Sequence, residues 1–258
     1  MADPREYQTE AVVIRKTKLG EADRILTLYT RDHGKIEVFA KGIRRPKSKL
    51  AGHLELLTYS MIRLARGRNL DTVTGSQTIE AFLPLKNDIW LTSYGLYAAE
   101  LVNQFNAEHS ANQMLFQLLV ETLKRLSQAE CSELTMRYFE LRLLDLSGYR
   151  PQLQECVTCR AELKPVENAF CSAAGGVLCP GCKYEQPTSI TISVDALKVL
   201  RFMQKNSFET VYRLRITSDL ANQLKNVLSG YIRHILEKEV KSANWLDSLR
   251  DQIGKPVV

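Results

Sequence analysis

Cys156-x-x-Cys159 and Cys179-Pro-Gly-Cys182 stand nineteen residues apart, and this spacing constrains the chain more than any other feature of it. Each pair makes a tight turn presenting two thiolates, and two such turns close a tetrahedron around Zn²⁺ with bonds of about 2.3 Å. Gly175-Gly176 and Pro180-Gly181 permit the turns that a small, core-poor module needs. Four thiolates fill the coordination sphere, so a single zinc ion held here is structural and has no open position for chemistry. The competing reading is two unrelated turn pairs with redox activity. Six cysteines in 258 residues do not make a disulfide scaffold. Cys171, between the pairs, reads as a buried small residue or a substitute ligand, and Cys131 as inert.

The rest of the chain divides by hydrophobic period. Between Gln8 and Phe82 the pattern is that of strands. Ala11–Ile14 is a β-branched run, Ile25–Thr30 and Lys35–Lys41 alternate, and Leu56–Leu64 and Thr72–Ile79 complete a set of five. Five short strands suit an OB-type barrel, although an SH3-like barrel gives nearly the same pattern. After Pro84 the period becomes helical. Asp88 caps a helix to about Asn106, followed by helices over Ala111–Gln128 and Ser132–Leu146, until Gly148 and Pro151 end the run. Ser193 begins another helix, Thr210–Ile216 looks extended, and a last helix spans about Asp219–Val240. The expected organisation is α+β: an OB-fold nucleic-acid-binding domain at 1–82, a helical domain in two parts at 83–150 and 188–258, and a zinc-binding insert at 151–187.

Net charge is +6, and its location matters more than its size. Between Lys41 and Arg68 lie Lys41, Arg44, Arg45, Lys47, Lys49, Arg63, Arg66 and Arg68 against a single acid, Glu55, a local charge of +7. Lys41–Lys49 reads as a strand end followed by a mobile cationic loop. Arg bridges phosphate oxygens, Lys acts as a point charge, and both release counterions, so these eight residues are the candidate nucleic-acid contacts. A solvated surface, an anionic lipid or an acidic protein are the bland alternatives. Tyr29, Phe39 and Tyr59 are candidates for stacking on bases, or else belong to the barrel core.

No P-loop, Gly-x-Ser-x-Gly elbow or His-Glu-x-x-His occurs. His53-Leu54-Glu55 with Cys179-x-x-Cys182 superficially matches a zinc deaminase, but Leu178 precedes Cys179 and a second cysteine pair would fill the open metal position. The polar start Met1–Glu6 and charge-broken apolar stretches argue against a signal peptide or membrane helix, so a cytoplasmic location is expected.

Thr9–Ile14, Gly20-Glu21-Ala22-Asp23-Arg24-Ile25-Leu26-Thr27, His33-Gly34-Lys35 and Lys41-Gly42-Ile43-Arg44-Arg45-Pro46-Lys47-Ser48 are segments that together resemble the bacterial RecO family of recombination mediators. Phe139–Tyr149, Cys156-x-x-Cys159 and Gly175-Gly176-Val177-Leu178-Cys179-Pro180-x-Cys182 are similar to the family's central helix and zinc module, whereas the final helices match by pattern alone. The resemblance implies an OB-fold on a helical domain and a non-enzymatic DNA repair factor that binds single- and double-stranded DNA and anneals strands. It also implies partnership with RecR and with the acidic, apolar C-terminal tail of single-stranded DNA-binding protein, helping to load RecA at gaps in the nucleoid. Some family members lack the cysteines, which makes the metal a scaffold. Glu21 and Asp23 read as turn and fold residues, since a carboxylate facing DNA repels phosphate. An RNA-binding zinc-ribbon protein and a zinc hydrolase or deaminase are the alternatives.

Overall fold

The computed structural model describes residues 5–128 and 132–253. They form two compact units, one within 1–130 together with 242–257 and the other within 131–241.

In the first unit, β1 (Glu6–Leu19), β2 (Asp23–Thr30), β3 (Gly34–Ala40), β4 (Tyr59–Ala65) and β5 (Asp71–Glu80) close a barrel in the order β1-β2-β3-β5-β4. The pairs are antiparallel except β3 with β5, where Val38 meets Asp71 and Phe39 meets Thr72 in parallel. That order, with its one parallel closure, is the OB-type barrel and settles the choice against an SH3-like one. Alternation along the strands fills the interior: Leu26, Leu28, Val38, Ile62 and Leu64 are fully buried. Each such side chain stabilises the fold by about 1.5–3 kcal/mol.

Two helices cover one side of the barrel. Short α1 (Leu83–Asn87) leads into α2 (Ile89–Phe105), where the Asp88 carboxylate accepts from the Leu91 N–H at 2.8 Å as anticipated. Asn112 does the same for α3 (Gln113–Ser127), accepting from Leu115 at 3.0 Å. Phe116 of α3 meets Tyr29 and Tyr59 with ring centroids 6.4 and 5.9 Å apart. The linker after α2 presses on the barrel at Gly34, whose φ is +66° and where a Cβ would lie 2.2 Å from the Ser110 carbonyl oxygen. Gly34→Ala is therefore expected to lower stability by at least about 2 kcal/mol, since strained backbone and a backbone clash add. A thermal melt unchanged from wild type would refute this.

The second unit holds α4 (Ser132–Leu146), α5 (Val194–Lys205), short α6 (Phe208–Val211), α7 (Ser218–Leu236) and a small sheet. β6 (Asn168–Cys171) is the central strand of that sheet, between β7 (Gly176–Leu178) and β8 (Ile190–Ile192). Ser193 caps α5 through the Ala196 N–H at 3.2 Å, as its position suggested. Arg137 and Glu140 form a buried ion pair of 2.7 Å on α4. Cys131 lies outside the described residues.

Two expectations are corrected. Thr210–Ile216 is not extended: Phe208 and Val211 are buried on one helical turn, Tyr212 stacks on Phe208, and the chain then turns through Arg213. The last helix does not run to Val240. It ends where Glu237 adopts φ +52°, and a further helix, α8 (Lys241–Ile253), follows and belongs to the first unit. The Glu100 carboxylate of α2 caps the start of α8 by accepting from the Ser242 N–H at 2.8 Å, and Trp245 donates to Ser93 at 3.1 Å.

Candidate metal centre and nucleic-acid interface

The four cysteines of the two pairs come together with all sulfurs within 4.8 Å of one another. Local backbone explains how. After Cys156, a turn closes with the Arg160 N–H donating to the Cys156 carbonyl at 2.9 Å, and Arg160 takes φ +63°. In the second turn, Cys182 and Lys183 both donate to the Cys179 carbonyl, at 3.0 and 3.2 Å. The first turn is laid beside β7, which leads into the second, by Val157 donating to the Val177 carbonyl and Val177 to that of Gln152, both at 3.0 Å. The module is anchored on α5, where Arg201 donates to the Leu153 carbonyl at 2.7 Å and Gln204 to Pro151 at 2.9 Å.

The donor set fits a tetrahedral metal. Four sulfurs at about 2.3 Å from one ion have edges of about 3.8 Å, and Cys159 and Cys179 have their sulfurs 3.8 Å apart. Burial works against a thiolate at Cys156, but N–H groups of Cys179, Cys159 and Thr158 donate to it and hold its pKa at about 6. Hydrogen bonding to Cys179, followed by some burial, pushes Cys182 up to about 12. The crowding sets one thiol against another in ionisation, and a cation bound among the sulfurs would favour the thiolate form of each. Cys171 is buried on β6 outside this group, with its thiol toward the Gln186 side-chain oxygen at 3.8 Å. It fills the role of a small core residue.

The cationic window is placed by strand register. Lys41 follows β3 directly, and the turns after it are tied down. Asp23 accepts from the Gly42 N–H at 2.6 Å, Arg44 donates its N–H to Ala22 at 3.0 Å, and Ile43 is buried in the barrel core. Asp23 therefore holds the loop, in keeping with a fold role. Lys41, Arg44, Arg45, Lys47 and Lys49 remain exposed. Because β3 and β5 run parallel, with Phe39 against Thr72, the loop after β3 and the Arg66–Leu70 turn that leads into β5 leave in opposite directions. Of the later cations Arg63, paired with Gly75, stands nearer the level of the loop. Arg63, Arg66 and Arg68 are exposed, and Arg66 also lies 4.4 Å over the Tyr7 ring and 3.8 Å from Asp71.

The same register adds two cations that a contiguous window misses. The β1–β2 turn pairs Lys18 with Arg24, and Arg24 with Ala40, one residue before Lys41. The signal for them was the turn at Gly20, which folds one basic strand end onto the next. His53 and Glu55 do not join the cysteines: His53 shares a hydrogen bond of 2.8 Å with Thr78, and Glu55 pairs with Lys16 at 2.8 Å.

A model of the Recombination protein O N-terminal region matches residues 1–82, and one of its C-terminal region matches 86–244. The chain belongs to the RecO family. It is 48% identical to a DNA repair protein RecO of Dehalococcoides mccartyi, over 96% of this chain and 98% of that one. Against the protein of that name from a Roseiflexus species identity is 41%, over 96% and 88% of the two chains. Against that of Symbiobacterium thermophilum it is 33%, over 95% and 98%. Among the described residues of this RecO-family chain, no helix is long and apolar enough to cross a membrane.

Proposed function

We propose that this RecO-family chain is a non-enzymatic, cytoplasmic, nucleoid-associated mediator of recombination repair. It grips phosphate backbones of single- and double-stranded DNA through the cationic end of its barrel and anneals complementary strands. With RecR it helps to load RecA on gaps coated by single-stranded DNA-binding protein. The observation that carries this reading is the run of exposed cations Lys41, Arg44, Arg45, Lys47 and Lys49 leaving the end of β3 in an OB-type barrel. Lys18 and Arg24 lie beside it, and Arg63 and Arg68 are exposed on β4 and the turn that follows. Arg66 completes the set by ordering the turn around Asp71.

The cysteine cluster would hold one Zn²⁺ through Cys156, Cys159, Cys179 and Cys182, a scaffold ion that braces the β6–β7 hairpin. The helical unit supports the partner reading through a cavity of about 120 Å³ with apolar walls from Leu163, Val166, Val194 and Leu197. Lys164 and Arg201 also line it. Apolar walls edged by cations match the acidic, apolar tail of single-stranded DNA-binding protein.

An equilibrium competition with single-stranded DNA, duplex DNA and RNA of one length tests the reading. Both DNAs are expected to compete, RNA to compete no better, and complementary strands to anneal without ATP and without hydrolysis of nucleotide or strand. Clear preference for RNA would favour an RNA-binding zinc-ribbon protein. Turnover that copurifies with the chain and vanishes in Glu55→Gln would favour the deaminase-like alternative.

A further inference from the structure

Of the three aromatic residues suited to meeting a base, the fold takes two away. Tyr29 is fully buried, with its hydroxyl 3.4 Å from the Asn106 side-chain oxygen, and burial drives its pKa upward. Tyr59 packs its ring against Phe116 and donates to the Glu10 carboxylate; burial, then that bond, push its pKa up to about 12. Phe39 is different. It alternates with the core residues Val38 and Ala40, so it points out of the barrel, where it is partly exposed.

Its surroundings suit an unpaired strand. Phe39 pairs with Ile25 on one side and Thr72 on the other, giving an uncharged row across the outside of β2, β3 and β5. Lys41, two residues on and exposed, opens the cationic loop, and the Lys18–Arg24 pair of strand positions borders the same end. Glu37, two residues back, accepts from the Thr27 hydroxyl at 3.4 Å, which directs a polyanion away from it and toward Lys41. The start of β3 is closed by Lys35, which donates to the Asn103 carbonyl at 2.8 Å. The open stretch of this face is the one beside the cations.

We propose that Phe39 is a stacking platform for one unpaired base and the residue that separates single strands from duplex on this surface. The inference rests on the DNA-binding reading above and names the discriminating residue within it. Cations meet the same phosphates in either form of DNA. A base in a duplex has both faces covered by its neighbours, so only an unpaired one can lie on a phenyl ring.

The test measures binding of a labelled oligothymidylate, the same strand with abasic positions, and a duplex of equal length. The full-length chain is compared as wild type, Phe39→Leu and Phe39→Trp, with melting curves to confirm folding. Phe39→Leu is expected to weaken oligothymidylate binding roughly 5- to 100-fold, the range for one stacked base. Duplex affinity should stay unchanged, and Phe39→Trp should restore the single strand. Wild type should itself lose about the same factor on the abasic strand, a measurement that needs no variant. Equal losses on single strand and duplex, or no loss on either single strand, overturn the inference and leave DNA binding standing. Failure of wild type to bind any of the three overturns both.

Discussion

Serine at both Cys156 and Cys159 is expected to strip the metal and unfold the module while the barrel stays folded. Intact protein should carry about one zinc per chain, because four thiolates complete one tetrahedral site. Two serine hydroxyls do not replace two thiolates, and zinc contributes about 10–16 kcal/mol to small zinc folds. The strands β6, β7 and β8 are three or four residues long and bury only a small set of side chains, among them Phe170, Val177 and Leu178. What remains is a few anchors such as Arg201 on Leu153 and the Phe170–Tyr231 ring pair at 5.5 Å. Unfolding should therefore appear as rapid hydrogen exchange across 151–187 with slow exchange retained in β1–β5. Metal-free protein from a zinc-replete, reduced preparation would sink the metal assignment. Exchange that stayed slow in the serine variant would sink its structural role.

The second large effect concerns the cationic loop. Alanine at Arg44, Arg45, Lys47 and Lys49 together is expected to weaken binding to every DNA sequence about equally. The slope of log affinity against log salt should flatten by roughly 0.7 for each single-strand phosphate no longer neutralised, or about 3 units for all four. Stability should change little, because the four side chains are exposed and repel one another. The control replaces Lys124, Arg125, Lys238 and Lys241, an equal charge change on or next to helices, where Lys124 and Arg125 already pair with Glu121. A control that weakens binding as much as the loop variant would make the effect one of bulk charge. An unchanged salt slope in the loop variant would remove the central functional claim.

Local signals made much of this structure readable in the sequence. Alternation wrote out β3 and, less regularly, β2, Asp88 and Ser193 marked helix starts by supplying cap oxygens, and paired Cys-x-x-Cys turns marked the metal cluster. What escaped is non-local or lacks a side-chain signature. The parallel β3–β5 closure depends on residues such as Phe39 and Thr72 that are far apart in the chain, whereas the company Lys18 and Arg24 keep with Lys41 follows from the β1–β2 and β2–β3 pairings, which a charge count over one contiguous window passes over. β6 is buried along its whole length and too short for a period to show. Thr210–Ile216 misled because Tyr212, Leu214 and Ile216 alternate with arginines there, while Phe208, just outside the run, decides the local turn. Glu237 stops α7 in a left-handed conformation without the glycine that normally announces it.

The return of α8 to the barrel unit makes the second unit an insertion within the first rather than an appendage to it. Docking α8 on α2 closes a loop over 131–241, and the folded second unit fixes the separation of that loop's ends. Were the second unit to become a flexible chain, closing the same loop would cost on the order of 4 kcal/mol more in entropy. Folding of one unit is thereby felt in the other through the covalent path. It also decides where the chain can be cut. A fragment ending at Phe82 keeps every strand of the barrel but loses Phe116, which packs on Tyr29 and Tyr59. A fragment ending at Val240 keeps Phe116 but leaves the Glu100 carboxylate without the Ser242 N–H it receives.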